Sequence, residues 1–246
     1  MSYLIIGASS GLGRELALRF AKEKNNLILI SRDIRDLNAI KSDLEHRHGI
    51  KVKCLEIDFS SIQEINQKLF INADTLKNLK GILFPIGLMF ENDNFELNID
   101  NASKLIFANF LSISFTLNKL SGLLNKQNAS IVGFGSVSGL LGRNLNPNYS
   151  AAKRGLESYF ESLAFEEKFQ NTNIQFYVLG YLDTNLAFGK KIKLPKGSTK
   201  KLADIVYNNK NIYFKKIFYP KFWNFIGFAL KILPFSLLIK LYKIFN

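Results

Sequence analysis

The chain has 246 residues, 47% of them hydrophobic, with one Cys, five Pro and a formal net charge of +13. This length suits a single α/β domain with a substantial core, and the hydrophobic fraction excludes a disordered chain. One Cys excludes both a disulfide framework and a cysteine-based zinc cluster. The charge is uneven. Residues 184–246 hold 13 Lys, no Arg and one acid, Asp204, and so carry +12, whereas the first 183 residues carry only +1.

Along those first 183 residues, short apolar runs alternate with longer amphipathic stretches. The pattern predicts strands at Tyr3–Ile6, Leu27–Ile30, Val52–Ile57, Gly81–Phe84, Ser130–Phe134 and Ile174–Leu179, with helices beginning near Gly11, Asp33, Ser60, Asn98 and Asn148. Such alternation implies βαβ units, right-handed crossovers and a parallel sheet covered on both faces. The run Tyr3–Ile6 is too short for a signal-peptide core, so a cytoplasmic body is expected. Cys54 lies in an apolar run and reads as a buried, inert thiol. After Thr184 come a Lys-rich loop, a short helix over Thr199–Asn208, a strand-like Ile212–Phe214 and an aromatic helical tail.

The turn Gly7-Ala8-Ser9-Ser10-Gly11-Leu12-Gly13 follows the first strand and opens the first helix. Glycines there let the backbone turn tightly and approach a pyrophosphate, whose charge the helix N-terminus favours. The second strand ends Ile30-Ser31-Arg32-Asp33. An acid at that tip would accept the ribose hydroxyls of NAD, whereas Arg can hold the 2′-phosphate of NADP. Ser31 stands where the acid is expected and Arg32 follows it, which favours NADP. NAD stays open because Asp33 is also within reach of a ribose. Asp58, at the tip of the third strand, either caps the next helix or faces the adenine.

Tyr149-Ser150-Ala151-Ala152-Lys153 lies at the start of a predicted helix, where residues four apart share a face. Ser136 stands thirteen residues before Tyr149, and Asn109 lies in the preceding long helix. With the glycine turn, this set resembles the short-chain dehydrogenase/reductase family over residues 3–184. The resemblance implies an α/β fold, a doubly wound parallel sheet of the Rossmann type, in a single domain with a helical C-terminal extension. Residues 1–184 would form the dinucleotide-binding and catalytic core, and residues 185–246 the substrate lobe and basic tail.

By the same resemblance Tyr149 protonates the carbonyl oxygen during reduction, and Ser136 hydrogen-bonds that oxygen. Lys153 holds the nicotinamide ribose and lowers the tyrosine pKa, Asn109 supports a water-linked proton path, and Thr184 contacts the nicotinamide carboxamide. The chemistry asks for such groups in any case. Hydride reaching a carbonyl carbon leaves charge on oxygen, which needs donors and finally a proton. The sequence departs from the family pattern at Ile6, at Phe84-Pro85-Ile86-Gly87 and at Val178-Leu179-Gly180. Gly87 keeps close backbone approach, but two amide side chains that brace the sheet are lost.

In the tail the longest charge-free stretches, Phe222–Leu230 and Ile232–Ile239, hold nine and eight residues. A spanning helix needs about 20. An interfacial element fits better, with Phe222, Trp223, Phe225 and Phe228 inserted and Lys221, Lys231, Lys240 and Lys243 near anionic headgroups. The pairs Lys190/Lys191, Lys200/Lys201 and Lys215/Lys216 would add attraction. Burial of the same apolar face against the protein or a sister subunit is the competing reading, and many relatives form homo-oligomers. The Tyr219-Pro220-Lys221-Phe222-Trp223 segment is also similar to bacterial family members, some of which reduce polyprenyl-linked keto-sugars. Nucleic acid is not expected, since the tail lacks Arg and any recognised binding motif, and neither is a metal, since His46 and His48 point to different faces of a helix. The expected function is NADP-dependent carbonyl reduction on a small or lipid-linked substrate. The alternative is a nucleotide-binding scaffold whose tail docks on a membrane or protein partner.

Overall fold

The computed structural model describes residues 1–70, 76–184 and 195–245. Six strands come from the expected runs: β1 (Ser2–Ile6), β2 (Asn26–Ser31), β3 (Val52–Glu56), β4 (Leu79–Phe84), β5 (Ser130–Ser136) and β6 (Asn173–Leu179). A seventh, β7 (Phe214–Tyr219), completes one sheet of order β3-β2-β1-β4-β5-β6-β7, in which every pair is parallel. Alternation along each strand sends side chains to two cores. In β1, Leu4 and Ile6 pack with Ile28, Ile82 and Phe84 on one face, while Tyr3 and Ile5 pack with Leu27, Leu29 and Leu83 on the other.

Helices α1 (Gly11–Lys22) and α2 (Ile34–His48) cover the second of these faces. In α1, Leu12, Leu16, Ala17, Phe20 and Ala21 are buried, a stripe of three- and four-residue spacing. Asp33 caps α2 by accepting from the backbone N–H of Arg35 and Asp36, and Gly49 closes it in the left-handed region at φ 62°. A short α3 (Ile62–Glu64) continues through a π turn to Phe70. On the first face, α4 (Ile99–Ile106) and α5 (Ser112–Lys126) form one long helix interrupted by a π turn, Phe107–Leu111, and α6 (Pro147–Leu163) packs beside it.

Beyond Thr184 the structure corrects the sequence. The predicted strand Ile212–Phe214 is instead Phe214–Tyr219, paired along its whole length with β6. Lys215 and Lys216, expected above to add attraction to an anionic surface, therefore lie in an edge strand, where lysine is well tolerated. Lys216 is bridged by Glu157 and Glu161 of α6 and is taken up by protein. Helix α7 (Thr199–Asn208) joins α1 on the second face, and Arg19 pairs with Asp204 across them at 2.6 Å. Lys190 and Lys191 lie outside the described residues, as does the side chain of Lys243.

The tail forms α8 (Trp223–Ile232) and α9 (Phe235–Phe245), separated by Leu233 in extended conformation before Pro234, as a residue preceding proline prefers. Among the described residues no helix is long and apolar enough to cross a membrane. Trp223 packs against Gly180, where any side chain would collide with the indole. Cys54 is half-buried, its thiol donating to the Leu37 carbonyl at 3.4 Å, and burial raises its pKa.

Candidate active site

The strand order reverses between β1 and β4, which opens a crevice beyond the carboxyl ends of the strands. A cleft of about 490 Å³ occupies that crevice. Gly7, Ser9, Ser10, Gly11 and Leu12 form one wall, and Ser31, Arg32 and Asp58 stand at the tips of β2 and β3. Gly87, Ser136, Tyr149, Lys153 and Thr184 complete it from the other half of the sheet. Of the cofactor and catalytic candidates named in the sequence, Ala8, Gly13, Asp33 and Asn109 do not line this cleft.

The glycine turn suits a phosphate group. Gly7 has φ 95°, a left-handed conformation that its tight turn requires, and its N–H donates to the Ile30 carbonyl at 2.8 Å. Gly13 sits beneath, where a Cβ would overlap the Gly7 carbonyl oxygen, so it lets the helix pack directly on the turn. Ser10 makes no side-chain cap to α1 and the first turn holds no acidic residue. The helix N-terminus thus faces the cleft without a protein anion to satisfy it, which is what a dinucleotide pyrophosphate would supply.

At the ribose end, Arg32 is exposed and lines the cleft. Asp33 is otherwise engaged. It caps α2 and accepts from Arg35 Nη2 at 3.0 Å, a contact that holds its carboxyl below the usual range. Asp58 accepts from the backbone N–H and hydroxyl of Ser60, both at 2.8 Å, while Ser61 caps α3. Asp58 therefore shapes the cleft rim by a local turn and does not cap the helix. Thr184 packs its methyl group near Gly11.

The catalytic candidates converge at the end of β5. The Ser136 hydroxyl lies near enough to the Tyr149 phenol to favour its ionised form. Lys153 is 3% exposed, donates to the carbonyls of Phe134 at 3.1 Å and Ile86 at 3.3 Å, and has Nζ 5.8 Å from the Tyr149 ring centroid. Burial pushes its ammonium down to about 8. Burial also raises the Tyr149 phenol, against the opposing effects of the Ser136 hydrogen bond and the Arg143 charge. Arg143 is thus a cation that acts on the phenol beside Ser136. Asn109 is fully buried in the π turn, a frequent functional irregularity. Its side chain accepts from the Leu88 N–H at 3.3 Å and donates to the Leu88 carbonyl at 2.7 Å, which ties α4 to the loop after β4.

Two contributors escaped the sequence reading. Asp93, 1% exposed, accepts from the backbone N–H of Tyr149 at 3.0 Å and of Asn148 at 3.2 Å, and from Asn148 Nδ2 at 2.8 Å. Its carboxylate caps α6 from another loop, because Asn146 at the helix N-cap makes no side-chain cap. Arg143 donates to Ser138 Oγ at 2.6 Å and lines the cleft. No local motif marks either residue: Asp93 lies 56 positions before Tyr149.

The family model for short chain dehydrogenase matches residues 2–193. A hydroxysteroid 11-beta-dehydrogenase 1-like protein B from Xenopus laevis is 29% identical over 92% of this chain and 80% of its own length. A very-long-chain 3-oxoacyl-CoA reductase from Vanderwaltozyma polyspora is 31% identical over 74% of this chain, which spans 55% of that relative's length. Among solved structures, a short-chain dehydrogenase from Sphingobium yanoikuyae in complex with NADPH superposes with a TM-score of 0.78 at 20% identity, covering 94% of this chain and 93% of that one. The crevice at the sheet reversal, the glycine turn beneath it and the family match over residues 2–193 agree: the chain belongs to the short-chain dehydrogenase/reductase family of NAD(P)-dependent oxidoreductases.

Proposed function

We propose that the protein is an NADPH-dependent reductase that converts a ketone to a secondary alcohol, with Tyr149 as general acid. The observation that carries this reading is the convergence of Ser136, Tyr149 and Lys153 in one cleft with the glycine turn. The glycine turn, Arg32 and Lys153 would hold NADPH in this cleft, where it would supply the hydride for the carbonyl carbon. Ser136 and Tyr149 hydrogen-bond the carbonyl oxygen, and Tyr149 then gives up its proton to it. Burial keeps the phenol protonated at neutral pH, which suits an acid in the reductive direction. Lys153 holds the ribose hydroxyls, and Asn109 fixes the Leu88 backbone on the facing wall. Residues 1–184 supply the dinucleotide and catalytic groups, and residues 185–246 the substrate lobe.

NADPH is favoured over NADH because Arg32 stands open at the cleft while Asp33 is spent on Arg35 and α2. The relatives' names, a hydroxysteroid dehydrogenase-like protein and a 3-oxoacyl-CoA reductase, support a ketone and secondary alcohol pair. Purified protein with NADPH and a ketone panel should show turnover that Tyr149→Phe reduces by about 10²-fold or more. A Tyr149→Phe variant as active as wild type sinks the assignment.

A second reading concerns location. Helices α8 and α9 leave Phe225 78%, Phe228 67% and Phe235 65% exposed beside Lys221, Lys231 and Lys240, an apolar and basic surface suited to an anionic bilayer. Sedimentation with phosphatidylserine vesicles should be strong for the wild type and weak for the Phe225→Asp/Phe228→Asp double variant. Equal sedimentation refutes this reading.

A further inference from the structure

Arg143 stands half-buried in the segment between β5 and α6, and no acidic side chain pairs with it among the described residues. One side of this segment lines the catalytic cleft. The other lines a neighbouring cleft of about 580 Å³, walled by Leu141, Pro147 and, from α9, Phe235 and Leu238. Arg143 and Ser138 line both. The guanidinium is held in place there. Its Nη2 donates to Ser138 Oγ at 2.6 Å, and the Ser138 N–H donates in turn to Ser136 Oγ at 3.1 Å. Arg143 is thus fastened to the turn Val137–Gly139 that directly follows Ser136. Apolar side chains behind it screen its charge weakly on that side. A half-buried cation without a protein anion is costly unless a negative charge forms beside it. The reduction would form one. As Tyr149 gives its proton to the alkoxide oxygen, the phenolic O–H bond breaks and its electron pair stays on the phenolate.

We infer that Arg143 is a positioning residue for the ketone reduction proposed above: clamped through Ser138 to the strand end that carries Ser136, it stands beside the Tyr149 phenol as a fixed counter-charge for the phenolate. The inference rests on that reading and adds a group to it. The groups around Tyr149 divide the work. Asp93, from the loop after β4, binds its backbone N–H at 3.0 Å, at the far end of the residue from the hydroxyl. Lys153 lies one turn on in α6, with Nζ 5.8 Å from the ring centroid, and Ser136 stands at the end of β5. Burial pushes the Lys153 ammonium down to about 8, so it sheds charge in the alkaline range where a phenol ionises. A guanidinium stays charged throughout that range. Burial raises the Tyr149 phenol, and Ser136 and then Arg143 oppose it.

Two substitutions separate charge from clamp. Arg143→Gln keeps an N–H for Ser138 and removes the charge, whereas Arg143→Lys keeps the charge. Alcohol oxidation with NADP requires the phenolate, so kcat/KM should climb as pH rises through the titration of Tyr149. In Arg143→Gln that limb should move upward by about one pH unit or more, and in Arg143→Lys by less than about half as much. At neutral pH the reductive kcat of Arg143→Gln should fall about tenfold with the ketone KM within about twofold, because the phenolate and not the bound ketone loses its counter-charge. An unmoved limb, an equal shift in both variants or a loss confined to KM overturns the inference. Should the Arg143 variants fail to fold, Ser138→Ala keeps the charge and releases the clamp. It should lower the reductive kcat about fivefold, and a wild-type kcat overturns the inference.

The phenol can also be followed without turnover. Near-ultraviolet tyrosinate absorbance, taken as the difference between each protein and its Tyr149→Phe counterpart, isolates Tyr149 from the other tyrosines. Its midpoint should rise in Arg143→Gln by the same amount as the kinetic limb. If no ketone is reduced and no alcohol oxidised, the proposed activity fails, while a risen midpoint upholds the action of Arg143 on Tyr149. Equal midpoints in wild type and Arg143→Gln refute that action.

Discussion

Lys153 lets the cost of building this site be measured apart from its chemistry. The ammonium is buried against two backbone carbonyls, and burial alone moves its pKa from the ordinary 10.5 to about 8. At about 1.4 kcal/mol per tenfold change, that displacement corresponds to about 3 kcal/mol. Between the two values the unfolded chain binds more protons than the folded one, so stability rises with pH through this window. Below about pH 8 the folded protein bears the full penalty, and above about 10.5 it bears none. In Lys153→Met the titrating group is gone. Loss of the two carbonyl contacts changes its stability by an amount independent of pH, which cancels when slopes are compared. Urea unfolding of both proteins between pH 7 and pH 9.5 should therefore show wild type gaining about 2 kcal/mol on the variant. Parallel stability curves would refute the claim that the lysine is desolvated. Activity should be lost in Lys153→Met at every pH, as expected for a group that holds the cofactor ribose.

Other consequences test the supports of the site. Asp93→Ala removes three accepted hydrogen bonds and the carboxylate at the start of α6. It should cost about 2–4 kcal/mol and lower Tm by about 5–15 °C. Its kcat should also fall at least about tenfold with NADPH affinity nearly unchanged, since Tyr149 is displaced while the glycine turn is not. A Tm within about 2 °C of wild type by calorimetry would contradict the capping role. Arg32→Ala should weaken NADPH binding by about tenfold or more and leave NADH nearly unaffected, because a single charge-assisted contact is removed. Fluorescence titration of both nucleotides decides the matter, and equal weakening argues against a phosphate clamp.

Much of the fold was legible because its signals are local. The six apolar runs up to Leu179 became strands, and their helices began close to the predicted points. The glycine turn and the Tyr149-x3-Lys153 helix could be read directly, since each is a short motif set by one turn of backbone. Ser136 needed only the end of a strand. What stayed hidden was non-local. The sequence pattern places a short strand at Ile212–Phe214, ahead of Lys215 and Lys216, whereas the strand runs over Phe214–Tyr219 because β6 offers a free edge and α6 offers Glu157 and Glu161. Gly180 looks like a weakened family motif until Trp223, 43 positions later, is found lying on it.

The oxidoreductase family, the glycine turn proposed to hold the cofactor and the division into a nearly neutral body and a basic tail were legible in the chain alone. Those properties follow from residue type, periodicity and short spacing, which a chain carries before it folds. Tertiary structure decided how the groups are tuned and what they can reach. It buried Lys153, partly buried Tyr149, set Arg143 beside the phenol, brought Asp93 to the start of α6 and placed α9 along a second cleft. It also redistributed the tail's charge, assigning Lys216 to an internal ion-pair cluster. Burial and long-range contact exist only once distant segments meet, and the pKa of a side chain depends on both.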